Sequence, residues 1–177
     1  MNAEKIKQIS KRMSYILRHK PDSAGLTLAP GGWVAIDDLI GALKISREYL
    51  DEVVSTNDKQ RFEYSEDATK IRARQGHSTA VDLQYEAATP PDLLFHGTAV
   101  RFLESIRENG LIRGKRHHVH LSVDREMMIA VGSRHGKPVV LEVNAKQMLM
   151  DGNQFYVTGN HVWLTEHVAP QYIRESP

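Results

Sequence analysis

With 177 residues, 41 % of them hydrophobic, the chain can form one domain or two small ones with buried cores. Its 23 basic and 22 acidic residues leave a formal charge of +1, so a polyanion must be met by a local patch and not by the overall field. Cysteine is absent, which excludes disulfides and thiolate metal centres, and no run is long and apolar enough to span a bilayer.

The chain opens on an amphipathic helix without an apolar signal segment, so a cytoplasmic location is expected. Ile6, Ile9, Met13 and Ile16/Leu17 recur at helical spacing and mark one buried face. Arg18 and His19 fall on the last turn, and Pro21 stops the helix. A basic pair there can cap the helix dipole. A fixed Arg beside a titratable His is also suited to gripping and protonating a phosphate ester. Trp33-Val34-Ala35-Ile36 alternates briefly, and Asp37 is placed to cap a short helix through Leu43. Ser46 opens another helix, with Leu50, Val53 and Val54 on its inner face. Arg61–Tyr64 and Lys70–Ala73 alternate around Ser65-Glu66-Asp67-Ala68 and predict a β-hairpin. Helices followed by a hairpin point to a winged-helix domain.

Pro90-Pro91, within Glu86-Ala87-Ala88-Thr89-Pro90-Pro91-Asp92, can continue neither helix nor strand. The chain is therefore read as a first lobe (1–86), a linker (87–92) and a second lobe (93–177). In the second lobe, Leu93–His96 reads as a strand, and a helix from about Val100 to Asn109 ends at Gly110. Further strands are predicted at His118–Leu121, Val139–Val143, Phe155–Val157 and Val162–Thr165. The fold class expected is α+β. Histidine is uneven: of nine, only His19 and His77 precede residue 90.

Several short constellations stand beside Arg18-His19. In Asn57-Asp58-Lys59-Gln60-Arg61-Phe62 a helix end passes into the hairpin, with Arg61 on the face opposite Phe62. A solvated strand edge explains such basic residues equally well. In Gln75-Gly76-His77-Ser78 the turn can bring backbone N–H groups near an anion. His96-Gly97-Thr98 and His120-Leu121-Ser122 each place a His at a strand end with a hydroxyl two residues on, on the same face. Gly97 removes a Cβ where a flat ligand can lie against backbone. His117-His118-x-His120 has a zinc-like spacing, but no acidic third ligand stands nearby, so no metal is expected. Arg134 sits in Gly132-Ser133-Arg134-His135-Gly136, read as a glycine-flanked loop that can bring it close to a ligand.

Together these stretches, with Ser14–His19 and Val162-Trp163-Leu164-Thr165, closely resemble the RNA 2′-phosphotransferase family, known from fungal tRNA splicing and also found in bacteria. Six segments match in the family's order from about Lys7 to Val168. The resemblance implies a winged-helix lobe followed by an ADP-ribosyltransferase-like lobe that binds NAD as co-substrate. It implies removal of an internal RNA 2′-phosphate in two steps. The phosphate attacks the anomeric ribose carbon of NAD and expels nicotinamide, giving an RNA-2′-phospho-ADP-ribose intermediate. The 2″-hydroxyl then attacks phosphorus, freeing 2′-OH RNA and ADP-ribose 1″,2″-cyclic phosphate. By the same resemblance the catalytic Arg-His-Arg-Arg set falls on Arg18, His19, Arg61 and Arg134. The NAD pocket takes His96, Gly97, Thr98, His120, Ser122 and Val162. Many protein-modifying ADP-ribosyltransferases carry a glutamate on a later strand, where this chain has Val162; an acid there would repel an incoming phosphate.

Three rival readings remain open at this stage. A phosphoesterase with two His-x-Ser/Thr motifs would account for His96 and His120 without NAD, but not for Arg18-His19 and Arg61. A nucleic-acid-binding winged helix is disfavoured by Arg47-Glu48-Tyr49-Leu50-Asp51-Glu52, which carries more acid than base. An enzyme that ADP-ribosylates a terminal nucleic-acid phosphate and stops there would use the same pocket. No membrane and no obligate protein partner are expected.

Overall fold

The apolar face read from Ile6 to Leu17 is realised in helix α1 (Ala3–Arg18), which buries Met13, Ile16 and Leu17. Asn2 caps it by accepting from the Glu4 amide (2.9 Å), and His19 occupies the C-cap. Pro21 then opens a 3₁₀ turn to Ala24. Strand β1 (Val34–Ala35) leads directly into α2 (Ile36–Leu43). The predicted Asp37 cap is corrected here: the N-cap is Ala35, in extended conformation. The Ile36 amide, one of the first-turn donors without an intrahelical partner, donates to the Thr69 carbonyl (2.9 Å) just before β3 begins. Asp37 and Asp38 lie in the first turn, where they favour the helix dipole. Helix α3 (Arg47–Ser55) is capped by Ser46 as its sequence indicates.

The hairpin consists of β2 (Phe62–Tyr64) and β3 (Lys70–Ala73), paired Phe62↔Ala73 and Tyr64↔Ile71. β1 adds to β3, giving the antiparallel order β1-β3-β2. Asp67 fastens the turn by accepting from Ser65, the Thr69 amide and the Thr69 hydroxyl; those bonds pull its carboxyl down to about 2. The core clusters Met13, Leu17, Leu39, Leu50 and Ile71, each completely buried. Burial of such side chains contributes roughly 1.5–3 kcal/mol apiece.

The computed structural model describes residues 2–177, and the chain divides into two units, one ending at Gln84 and the next beginning at Tyr85. The Pro90-Pro91 stretch lies in the second unit. Ala88 donates to the Phe155 carbonyl (2.8 Å), and Asp92 accepts from Lys146 (3.1 Å).

The second unit runs β4 (Leu93–Ala99), a 3₁₀ turn at Val100–Phe102, α4 (Leu103–Asn109), β5 (Leu111–Ile112), β6 (Val119–Leu121) and α5 (Arg125–Ser133). It continues through β7 (Pro138–Asn144), α6 (Ala145–Met150), β8 (Tyr156–Val157), β9 (Trp163–Thr165), β10 (His167–Val168) and β11 (Ile173–Glu175). Two three-stranded antiparallel sheets form, β11-β7-β4 and β6-β9-β8, with a β10-β5 pair beside them. The predicted helix over Val100–Asn109 becomes α-helical only from Leu103. The chain is thus mixed α/β, with small antiparallel sheets and six α-helices among the described residues. None of these helices is long and apolar enough to cross a membrane.

The segment around Arg134 departs from its sequence reading. Residues 125–133 are helical, capped by Asp124, which accepts from the Met127 amide (3.0 Å). Gly132 is therefore not a loop hinge. A Cβ on Gly132 would overlap the Thr98 carbonyl, and one on Gly97 would overlap the Met128 carbonyl. The two glycines let α5 lie backbone to backbone on β4. Gly97 is accordingly covered by a helix, which corrects the expectation of a ligand against its bare backbone.

Candidate active site

In the first unit, Arg18 closes α1 and Arg61 stands one residue before β2. Both line one groove of ≈ 540 Å³ along α1, together with Lys7, Lys11, Ser14, Asn57 and Asp58. Asn57 links the two sides: its Oδ1 accepts from the Arg61 amide (3.0 Å), and its Nδ2 donates to Ser10 Oγ on α1 (3.1 Å). Gln60, at φ 46°, makes the left-handed turn that delivers Arg61 to the strand. Phe62 is buried behind it.

Arg18 and His19 are supported by the segment after the hairpin. The Ser78 and Thr79 amides both donate to the Arg18 carbonyl, at 2.8 and 3.2 Å. Gly76, at φ 87°, passes so close that a Cβ there would lie 3.4 Å from Arg18 Cζ. His19 Nδ1 bonds Ser78 Oγ at 2.7 Å, which directs the chemistry of the ring to Nε2. The Gln75–Ser78 turn was expected to offer amides to an anion. Within it the Ser78 amide is instead spent on the Arg18 carbonyl, as is that of Thr79 just beyond it.

In the second unit the two His-x-Ser/Thr segments meet. The Phe95 amide donates to the Ser122 carbonyl (2.7 Å), and the Ser122 amide donates to Phe95 (2.9 Å), joining β4 to the end of β6. His96 Nδ1 lies 2.9 Å from the His120 carbonyl; a carbonyl only accepts, so Nδ1 carries the proton. Burial pushes the His96 pKa down against the pull of that carbonyl, so the ring is neutral at pH 7 and its Nε2 is an acceptor. Arg116 Nη1 lies 3.3 Å from His120 Nδ1. A guanidinium only donates, so neutral His120 carries its proton on Nε2. The pair thus presents one acceptor and one donor from adjacent strands.

Thr98 is buried in β4, opposite Val139. Ser122 Oγ accepts from the Asp124 amide (3.0 Å), tying the strand end to the α5 cap. Val162 lies one residue before β9 and exchanges bonds with Thr158: its amide donates to Oγ1 (3.1 Å), and its carbonyl accepts from the Thr158 amide (2.9 Å). The β6–β9 register runs Val119↔Thr165 to Leu121↔Trp163, and its continuation brings Val162 level with Ser122. Arg134 is the exposed C-cap of α5, a position where a cation is favoured by the helix dipole. His118, read as a possible ligand, packs between the rings of Tyr85 (6.0 Å) and Tyr156 (5.4 Å). Among the described residues no group of three or more His, Asp or Glu side chains is arranged to hold a metal ion.

Sequence reasoning passed over three contributors. Asn57 and Ser78 lay inside quoted segments, but their partners are far along the chain. Arg116 sits in a basic run with no pattern to distinguish it.

Residues 4–167 match the family described as RNA 2′-phosphotransferase, Tpt1 / KptA family. A protein of Acaryochloris marina named "Probable RNA 2′-phosphotransferase" is 54 % identical, covering 97 % of this chain and 98 % of its own. Proteins of the same name from Streptomyces coelicolor (51 %) and Pseudomonas aeruginosa (50 %) cover 98 and 99 % of this chain and 97 and 100 % of theirs. With that match across nearly its whole length, this chain belongs to the RNA 2′-phosphotransferase family.

Proposed function

We propose that this protein removes an internal 2′-phosphate from RNA by transferring it to NAD. The products are 2′-OH RNA, nicotinamide and ADP-ribose 1″,2″-cyclic phosphate. Family membership supports the phosphate-transfer half of this reading. The observation that carries the site assignment is that Arg18 and Arg61, distant in sequence, line one groove of the first unit. On this reading the first unit is a winged-helix lobe that handles RNA, and the second is an ADP-ribosyltransferase-like lobe that handles NAD.

The second unit's donor set suits NAD. His96 offers an acceptor and His120 a donor at one strand junction, which matches ribose hydroxyls, and Ser122 stands beside them. Val162 brings no carboxylate to that level. NAD, when bound, supplies an anomeric carbon activated by a cationic leaving group. The attacking 2′-phosphate is already an anion, so Arg18 and Arg61 orient it and need abstract no proton. When negative charge later grows on the phosphorus oxygens, Arg18 and Arg61 are suited to stabilise it. His19, steered by Ser78, moves one proton through Nε2 at the departing RNA oxygen or the attacking hydroxyl.

The test is a short RNA carrying one radiolabelled internal 2′-phosphate, incubated with and without NAD. The expected result is NAD-dependent movement of label into ADP-ribose cyclic phosphate. Label released without NAD overturns the reading in favour of a phosphoesterase, and label stalled as an RNA–ADP-ribose adduct overturns the second step.

A further inference from the structure

The groove of the first unit holds two cations that chemistry at a single 2′-phosphate does not use. Lys7 and Lys11 line it beside Arg18 and Arg61. Positions 7, 11, 14 and 18 fall on one stripe of α1, with the two lysines a helical turn apart, about 6 Å, and Lys7 about 16 Å from Arg18 along the axis. Both lysines are exposed, and among the described residues neither is paired with a carboxylate. Lys5, on another face of α1, lies instead over the Tyr49 ring at 4.8 Å. Asp58 is the acidic residue in the groove lining, set against Lys7, Lys11, Arg18 and Arg61.

Like charges four apart on a helix are mildly destabilising. Lining a groove with them, in a chain whose formal charge is only +1, concentrates positive potential where the rest of the molecule has little. The ligand that relieves this is linear and repeatedly anionic, because the cations extend well beyond the span of one phosphate.

We propose that Lys7 and Lys11 bind the phosphodiester backbone flanking the 2′-phosphorylated nucleotide, so that the groove is a track for several nucleotides and not a socket for one phosphate. This rests on the RNA reading above. It makes the two lysines determinants of substrate length, reading backbone and not base.

The test is fluorescence anisotropy with a labelled hexaribonucleotide carrying one internal 2′-phosphate, without NAD, over a salt series. A nucleoside 2′-phosphate serves as competitor. The K7A/K11A variant is expected to bind the hexamer about tenfold more weakly at low salt. Its slope of log Kd against log salt should fall by about 0.7 for each phosphate no longer neutralised. The preference for hexamer over mononucleotide should shrink accordingly, and K7R/K11R should restore it. K146A, which removes a charge from α6 of the second unit, should keep the wild-type slope. A K7A/K11A variant with unchanged slope and unchanged preference overturns the proposal. Because binding is read without turnover, failure of the NAD assay and failure of this track are separate results.

Discussion

A histidine whose one ring nitrogen is occupied has its orientation set, and the bond between His19 and Ser78 does this across 59 positions of sequence. Losing that hydroxyl leaves the imidazole present but free to rotate or change tautomer. Ser78→Ala is expected to lower kcat by up to about tenfold, the equivalent of one ordinary hydrogen bond, while KM for RNA stays near wild type. Ser78→Thr should recover most of the rate; an unchanged kcat in the alanine variant would show that Ser78 does not orient the ring. Sequence could present Gly76-His77-Ser78 only as a possible anion turn. The partner is a matter of tertiary packing, and no spacing rule connects residue 78 to residue 19. The same holds at His96 and His120, whose recurrence was visible but whose complementary proton positions depend on a carbonyl and a guanidinium supplied by other residues.

Among the elements, α5 and β4 meet through two glycines that have no room for a methyl group. Gly97→Ala forces a Cβ into backbone, which cannot move aside as a side chain can. The expected cost is about 3 kcal/mol, with the melting temperature lowered by roughly 6–12 °C. Gly41→Ala makes the same chemical change within α2, where a Cβ meets nothing within 4 Å. It should be neutral or stabilising by up to about 1 kcal/mol. Thermal melts of the two variants side by side check the pair; equal effects would refute the packing argument. Helices α1 and α3 were legible because apolar periodicity and a cap residue coincide in each. Helix α5 was not, because Gly132-Ser133 reads locally as a break. It persists there because tertiary packing on β4 outweighs the weak propensity of glycine. Asp37 is not the cap because α2 begins one residue earlier, at Ile36, which leaves Asp37 inside the first turn.

Across the whole molecule, two hydrophobic clusters share no member: one gathers Met13 to Ala73, the other Leu94 to Val168. Leu50 is fully buried in the first. Leu50→Ala is expected to destabilise that unit by about 2–5 kcal/mol. Hydrogen exchange should show loss of protection in α1, α2 and β3, while β4 and β7 keep theirs. Equal loss in both would mean that the cores unfold as one. At this scale Pro90-Pro91 predicted a linker at 87–92, whereas the chain divides between Gln84 and Tyr85 and the Pro-Pro stretch belongs to the second unit. The formal charge of +1 confines strong positive potential to local patches, and the groove lined by Lys7, Lys11, Arg18 and Arg61 is one such patch.

The amide of Asn57, fastened to Ser10 on one side and to the Arg61 backbone on the other, acts as a gauge. It ties helix α1 to the segment that leads into β2, and so holds together the two sides of the groove that Arg18 and Arg61 line. Charge alone does not grip a phosphate; the span between charges must fit it. A side chain that carries no charge can therefore govern a cationic groove, by holding together the two segments from which its arginines come.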